Sequence, residues 1–153
     1  MKPIRNSLKA LIIKDGKLLA IKLRDAEGTW YVLPGGGQDV GETFYEALRR
    51  ECREEINCEI EIGDLRFIRE YIAKNHEFAN FEPDVHQVEF MFECTLTEGS
   101  VAEVGHAPDS TQFDIEWLDL DKLDSYRLYP LALRPLIARA ADGTVPIYQG
   151  DIN

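Results

Sequence analysis

Residues 35–58 read GGGQDVGETFYEALRRECREEINC: a glycine cluster, a polar stretch and then a segment rich in helix-forming residues. Consecutive glycines permit positive φ angles and a close backbone approach to a ligand, so we predict a loop at residues 35–37. No Gly or Pro interrupts residues 43–56, which predicts a helix. Thr43 and Glu46 have the spacing of a capping box at its start, and Asn57 suits the left-handed position that ends a helix.

One side of this predicted helix changes from apolar to acidic along its length. The apolar part is Phe44, Ala47 and Leu48, and one turn later the same face carries Glu51, Glu54 and Glu55. Carboxylates at these spacings repel one another, and the negative end of the helix dipole costs roughly 0.3–1 kcal/mol more for each. A divalent cation would reverse both effects, and carboxylate and carbonyl oxygens suit Mg²⁺ or Mn²⁺. Since Arg49, Arg50 and Arg53 lie on the same helix, a solvated charged face is the alternative.

Composition and length are those of one globular domain, which we predict over residues 1–153. The hydrophobic fraction of 44% is ordinary for a folded protein, and no run of 18 apolar residues occurs, so no membrane span is predicted. The first residues lack the apolar stretch of a secretory signal. We therefore expect a cytoplasmic protein.

Charge and cysteine content exclude several kinds of site. A net charge of −11 without a Lys/Arg block argues against binding polymeric nucleic acid, whereas a cation between two anions still permits a small nucleotide. The three cysteines, Cys52, Cys58 and Cys94, form no C-x-x-C pair. This pattern argues against a disulfide framework and a zinc cluster, and favours small buried hydrophobes.

The segments around residues 35–58 carry mostly β patterns. Asp15-Gly16 is a turn signal between two apolar runs. The predicted strands are residues 7–13, 18–23, 30–33, 58–73, 85–97 and 113–118. A short helix is predicted at 119–124 and an amphipathic helix at 130–141, where Pro130 and Gly143 mark the two ends. Together these elements predict one mixed α/β domain.

Residues 36–58 resemble the Nudix box, G-x5-E-x7-R-E-U-x-E-E-x-G-U, in which U is an apolar residue. Six residues fall in register: Gly36, Glu42, Arg50, Glu51, Glu54 and Glu55. At roughly one residue in fifteen for each position, six matches arise by chance about once in ten million starting points. Asn57 stands where the pattern has Gly, and Cys52 and Cys58 occupy its apolar positions. Because Asn tolerates the left-handed conformation, we expect the helix to end there all the same.

The resemblance implies a Nudix-like α/β/α sandwich with a central mixed β-sheet, in which the box forms a loop–helix–loop motif. It implies Mg²⁺ or Mn²⁺ as the cofactor, bound by Glu51, Glu54 and Glu55, with the carbonyl of Gly35 or Gly36 as a further ligand. It also implies that Glu42 pairs with Arg50 and so holds the start of the helix against its end.

The activity that the resemblance implies is attack of water on a phosphorus atom of a pyrophosphate. The substrate would be a nucleoside diphosphate linked to another group, as in an ADP-ribose-like sugar nucleotide, or a nucleoside triphosphate. Glu54 or Glu51 would accept the proton of the water. Similar proteins place a further acid in the loop before Trp117, where this chain has Thr111 and Gln112, flanked by Glu103, Asp109 and Asp114. The general base therefore stays open.

Residues outside the box are weaker candidates for substrate binding. Trp30 and Tyr31 would stack on a base, although aromatic residues at a strand edge belong more often to a core or rim. Arg24, Arg66 and Arg69 would reach a distal phosphate or ribose, and His86 opens an apolar strand where packing is the commoner role. Residues 74–84, with Phe78 and Phe81, would form a lid or the contact of a homodimer.

Two other functions compete with hydrolysis. A Nudix-like module that senses a nucleotide without cleaving it usually lacks a box glutamate, and this chain retains all three. An isomerase of prenyl diphosphates shares the fold but needs an additional catalytic cysteine, for which Cys94 is the one candidate outside the box region.

Overall fold

The computed structural model describes residues 2–105 and 112–153, and for residues 112 and 113 it describes the backbone alone. The strands are β1 Arg5–Lys14, β2 Lys17–Asp25, β3 Gly28–Val32, β4 Gly35–Gly37, β5 Ile60–Ile72, β6 His86–Leu96, β7 Gln112–Asp119 and β8 Tyr148–Asp151. The α-helices are α1 Phe44–Ile56 and α2 Arg134–Ile137. Short 3₁₀ helices cover Ala73–Asn75, Leu120–Ser125, Leu131–Leu133 and Ala140–Asp142. Within residues 2–105 and 112–153, none of the helices has the length and apolar character needed to span a bilayer.

The strands form a mixed sheet in the order β3-β2-β1-β6-β5-β8, and β7 adds to β2 while β4 adds to β1. Strand β1 runs parallel to β6, and β5 runs parallel to β8. The remaining pairs are antiparallel. The predicted mixed sheet is thus confirmed, and β1 is the strand on which its two halves meet.

Each face of the sheet has its own apolar core, because successive side chains of a strand point to opposite faces. On one face, Leu8 and Ile12 of β1 pack with Leu48 and Cys52 of α1. On the other face, Leu11 of β1 packs with residues of the later helical segments: Leu123, Leu133 and Ile137. Helices therefore cover both faces, and the predicted α/β/α sandwich is confirmed.

Three details differ from the sequence prediction. Residues 35–37 are not a loop, because they pair with β1 from Ser7 to Lys9 as strand β4. The predicted helix at 130–141 is broken into three short pieces; Pro135 lacks an N–H and is tolerated only in the first turn of α2. Strand β8 was not predicted, because its pairing with β5 depends on contacts far apart in sequence.

Candidate functional site

Helix α1 has the two ends that the sequence predicted. The Thr43 hydroxyl accepts a hydrogen bond from the Glu46 amide at 3.1 Å. At the other end, Asn57 has φ 54° and ψ 39°, and its amide donates to the Arg53 carbonyl at 3.2 Å. These caps fix the length of α1, and Glu51 and Glu55 near its end lie beside β4.

The three glycines of β4 leave room for three different neighbours. A Cβ on Gly35 would lie 1.9 Å from the Leu8 carbonyl oxygen, and Gly35 also has a φ of +135°. A Cβ on Gly36 would lie 2.7 Å from the Glu51 carboxylate, and one on Gly37 would lie 2.1 Å from the Arg5 guanidinium. A side chain at any of these positions would displace its neighbour, so the glycines provide close approach rather than a flexible loop.

Glu55 is a buried carboxyl group that faces this strand. It is 9% exposed, and its Oε1 accepts a hydrogen bond from the Gly35 amide at 3.0 Å. Burial raises the pKa of Glu55 to about 8; the Lys9 ammonium opposes the rise, and the neighbouring Glu51 carboxylate adds to it. A hydrogen bond between the two carboxyl groups also contributes to the rise. Two acids in such proximity need either a shared proton or a cation between them.

Arg50 organises the rest of the acidic cluster. Its Nε and Nη2 donate to the two carboxylate oxygens of Glu42 at 2.8 and 2.9 Å, and Nη2 also donates to the Gly37 carbonyl at 3.0 Å. The hydrogen bonds from Arg50 lower the pKa of Glu42 to about 2. The predicted Glu42–Arg50 pair is therefore present, and it ties the start of the box to α1.

The same guanidinium also holds two of the predicted metal ligands. Arg50 Nη1 donates to Glu51 at 3.0 Å and to Glu54 at 3.4 Å. The Glu54 side chain is 38% exposed, compared with 16% for Glu51. Within residues 2–105 and 112–153, no three acidic, His or Cys side chains are grouped closely enough to hold one metal ion. Glu51 and Glu55 meet as predicted, whereas Glu54 is turned toward Arg50.

Lys9 is a site residue that the sequence analysis missed. Its Nζ donates to the Leu33 and Gly35 carbonyls at 3.4 and 3.3 Å. Gly35 thus donates its N–H to Glu55 and accepts a hydrogen bond from Lys9 at its carbonyl. The Gly35 carbonyl, one of the two predicted as metal ligands, is therefore bound by the Lys9 ammonium group. The available signal was a Lys between the apolar residues Leu8 and Ala10 of a buried strand.

A crevice leads from Lys9 to a larger cavity. Lys9, Val32, Arg69 and Tyr129 line the crevice, and the last three also line a cavity of about 310 Å³. That volume is at the small end of ligand pockets. The other residues lining the cavity are Asp25, Trp30, Tyr71, Phe78, Glu82, Gln87 and Asn153. Aromatic rings and a few polar groups therefore border a space that shares three lining residues with the crevice at Lys9.

A buried ion pair lies in the wall of this cavity. Arg69 Nε donates to Glu89 at 2.6 Å, and each side chain is 8% exposed. Burial alone would raise the pKa of Glu89, but the positive charges of Arg69, Lys9 and Arg5 outweigh it and lower the pKa. Arg69 Nη1 also donates to the Ile152 carbonyl at 2.6 Å. Three cations thus surround the buried carboxylate of Glu89, and two of them, Lys9 and Arg5, were not predicted from the sequence.

The structure separates the predicted substrate-binding residues into two groups. Trp30 and Arg69 line the cavity, as does Phe78 from the segment predicted as a lid. Tyr31 does not, because adjacent strand residues face opposite sides; it is 7% exposed and donates to Glu116 at 2.9 Å.

The remaining three predicted residues lie outside the cavity lining. Arg24 is an exposed residue opposite Thr29 in the β2–β3 pair. Arg66 pairs with Glu93, and His86 contacts Glu70 at 3.1 Å. These three residues therefore have the packing and surface roles that the sequence analysis gave as the alternative to substrate binding.

The loop before Trp117 gives no general base among the described residues. Asp109 and Thr111 lie outside them, as does the Gln112 side chain. Glu103 accepts from the Asn57 side chain at 2.8 Å, and Asp114 is exposed. Glu103 therefore supports the end of α1 rather than the cavity.

Cys94, the cysteine that an isomerase would need, is buried in the core beneath α1. It is 2% exposed, and burial raises its pKa to about 12. A thiol in this environment is not reactive. Cys52 and Cys58 are buried as well, so the isomerase alternative has no accessible thiol in the described part of the chain.

Comparisons with known proteins agree with this geometry. Residues 5–140 match the model of the NUDIX domain. The nucleoside triphosphatase NudI of Salmonella agona (strain SL483) is 28% identical over 132 residues, which cover 83% of this chain and 94% of that protein.

Solved structures agree in fold. A NUDIX hydrolase from Nitrosomonas europaea has a TM-score of 0.70 at 16% identity, with 90% of each chain covered. An ADP-ribose pyrophosphatase from Streptococcus suis 89-1591 has a TM-score of 0.64 at 20% identity, with 97% of this chain and 100% of that chain covered.

Proposed function

This chain belongs to the Nudix family of pyrophosphohydrolases, and we propose that it cleaves a nucleoside triphosphate to a monophosphate and pyrophosphate with the help of Mg²⁺ or Mn²⁺. The observation that carries the proposal is the meeting of Glu51 and Glu55 at β4, beside a cationic crevice that opens into an aromatic cavity. The similarity to a nucleoside triphosphatase supports the choice of substrate.

The residues at β4 fit a hard divalent cation. Glu51 and Glu55 bring two carboxyl groups together in a buried place, where the Glu51 carboxylate helps to raise the pKa of Glu55. The Gly36 position has no Cβ to separate its peptide from Glu51. Glu54 would have to turn away from Arg50, to which its contact is 3.4 Å, in order to join the other two glutamates, and its side chain is partly exposed. Glu51, Glu54, Glu55 and the Gly36 carbonyl would hold the ion, all through oxygen.

A divalent cation, when bound, neutralises phosphate charge and makes water a better nucleophile. Arg50 positions Glu51 and Glu54, because one guanidinium contacts both carboxylates while its other nitrogens are fixed by Glu42. Glu54 is the most exposed of the three glutamates, and we assign it the role of accepting the proton from the attacking water. Glu55 is fixed through Gly35 and serves as a ligand.

The crevice supplies positive charge for the polyphosphate. Lys9 and Arg69 line it together with Glu89, which is paired with Arg69, and Lys9 also contacts the carbonyl of Gly35, whose amide binds Glu55. The phosphates would lie along these cations, and the nucleoside would occupy the cavity beside Trp30 and Tyr129. The net charge of −11 is compatible with this arrangement because charges close to the phosphates, rather than the total charge, would determine binding.

The test is hydrolysis of a panel of nucleoside triphosphates and ADP-ribose with Mg²⁺ and with EDTA, followed by mass analysis of the products. We expect a nucleoside monophosphate and pyrophosphate only when the metal is present. Reaction in ¹⁸O water identifies the phosphorus that is attacked. Cleavage of ADP-ribose but not of triphosphates would refute the proposed substrate, and activity in EDTA would refute the metal requirement.

Variants test the roles of the glutamates. Glu54→Gln and Glu55→Gln should each abolish turnover while circular dichroism and the melting curve remain those of a folded protein. Glu61→Gln is the matched control, because Glu61 is exposed on β5, away from the cluster. Near-normal rates for both cluster variants would rule the assignment out.

A further inference from the structure

Trp30 carries a polar group with no partner. Its indole Nε1 is buried and has no hydrogen-bond acceptor in the described part of the chain. An indole nitrogen can only donate. A buried donor left without an acceptor costs about 1–3 kcal/mol, so such a group points to a ligand that supplies the acceptor.

The position of Trp30 agrees with a ligand role. Trp30 lines the 310 Å³ cavity, where its ring meets that of Tyr129 edge-on at 5.8 Å. The ring of Phe78 approaches Tyr129 at 5.7 Å from a separate segment. Three aromatic side chains from distant parts of the sequence therefore border one space that suits a planar heterocycle.

Most other polar groups of this cavity already have partners. Asp25 accepts two hydrogen bonds from Arg127, at 2.9 and 2.8 Å. The Asn153 amide contacts Arg69 at 3.2 Å through its oxygen and Glu77 at 3.0 Å through its nitrogen. These groups shape the wall, whereas the buried Trp30 N–H has no acceptor in the described part of the chain and would meet one in the cavity after a small turn of the ring.

The Tyr129 hydroxyl adds a second donor. It accepts a hydrogen bond from Arg127 Nε at 3.1 Å, which leaves its own proton available to another acceptor. Trp30 and Tyr129 thus present two donors from adjacent rings. A base that offers a carbonyl oxygen would satisfy such donors.

We propose that Trp30 selects the base of the substrate by donating its indole N–H to a carbonyl oxygen, so that the enzyme prefers bases bearing a keto group: uracil, thymine, cytosine or guanine. This inference rests on the proposed function, since it concerns the same substrate. It makes Trp30 a residue that determines specificity rather than one that only stacks.

The decisive experiment compares oxo substrates with their thio analogues, because sulfur is a poor acceptor of about the same shape. UTP is paired with its 2-thio and 4-thio forms, and GTP with its 6-thio form. Wild-type protein should favour the oxo form of one pair about tenfold or more in kcat/KM, and Trp30→Phe should bring that ratio close to one. An oxo/thio ratio that Trp30→Phe leaves unchanged in every pair overturns the proposal.

The second tryptophan, Trp117, supplies the control and an independent measurement. Trp117 packs against the core beneath α1, so Trp117→Phe should leave the oxo/thio ratio as in the wild type. It also leaves Trp30 as the sole tryptophan, because the chain has two. Titrating this variant with a non-hydrolysable UTP analogue should change Trp30 fluorescence.

The two measurements separate failure of the inference from failure of the proposed function. A wild-type protein that hydrolyses none of the substrates would contradict the proposed function, and the titration would then test Trp30 alone. Unchanged fluorescence at saturating keto nucleotide in that case overturns the inference as well. Hydrolysis with an unaltered oxo/thio ratio overturns only the inference.

Discussion

Replacing Gly36 by Ala tests whether the position of Glu51 matters for turnover. The new Cβ would lie 2.7 Å from the Glu51 carboxylate, which must retreat by about 0.7 Å to reach an ordinary contact distance of 3.4 Å. Displacements near 1 Å cost on the order of 100-fold in rate, so we expect kcat to fall about 10- to 100-fold. The carboxylate ends a flexible side chain, and the free energy of unfolding should therefore change by less than about 1 kcal/mol.

The neighbouring glycines provide matched controls for this experiment. Gly37→Ala displaces only the end of the exposed Arg5 side chain and should affect neither kcat nor stability strongly. Gly35→Ala meets the backbone of Leu8 at 1.9 Å in a left-handed conformation and should destabilise the fold by about 3 kcal/mol or more. The measurements are urea denaturation and steady-state hydrolysis. Full activity in folded Gly36→Ala protein would refute the reasoning.

Three further substitutions test other parts of the structure. Burial alone would raise the pKa of Asp151, but hydrogen bonds such as that from Asn75 lower it to about 2. Because the pKa of Asp151 in the folded protein is below the ordinary 3.8, Asp151→Asn should lower the free energy of unfolding at pH 7 by about 1–2 kcal/mol, as measured by urea denaturation. The loss should shrink as the pH falls from about 4 to 2, and an equal loss at pH 7 and pH 3 would contradict this. Gly105→Ala places a Cβ 2.1 Å from the Glu54 carbonyl oxygen and should lower stability by about 1–3 kcal/mol, whereas an unchanged melting temperature would show that this contact is absent. Arg50→Lys keeps the charge but loses the paired hydrogen bonds, so kcat should fall by about tenfold or more with the fold intact; an unaltered kcat would mean that the bidentate geometry is unimportant.

The parts of the molecule that the sequence predicted correctly depend on local chemistry. The caps of α1 follow from Thr43, Glu46 and Asn57, which act on backbone groups within a few residues. The pairing of Glu42 with Arg50 was implied by the resemblance to the Nudix box and is seen as two hydrogen bonds. Such features require no knowledge of the rest of the fold.

The parts that were missed depend on contacts between distant segments. Three glycines have no intrinsic preference for a strand, and β4 forms because its backbone pairs with β1 and lies too close to it for side chains. The cavity combines Trp30, Phe78 and Tyr129 from segments far apart in the sequence, so no window of residues reveals it. The prediction that Tyr31 and Trp30 both contact the substrate could have been avoided, because adjacent side chains of a strand such as β3 point to opposite faces of the sheet.

The two apolar cores have a consequence for how this enzyme can diverge. Helix α1 covers the face of β6 that carries Phe90 and Phe92, whereas the cavity uses Gln87, on the opposite side of the same strand. Under the proposed function, the base would be selected mainly on the Gln87 side of the sheet, and Trp30 and Val32 would join that side to the core beneath α1. Substitutions of the other cavity residues should add to substitutions in the acidic cluster, which would allow the range of substrates to drift without loss of hydrolysis.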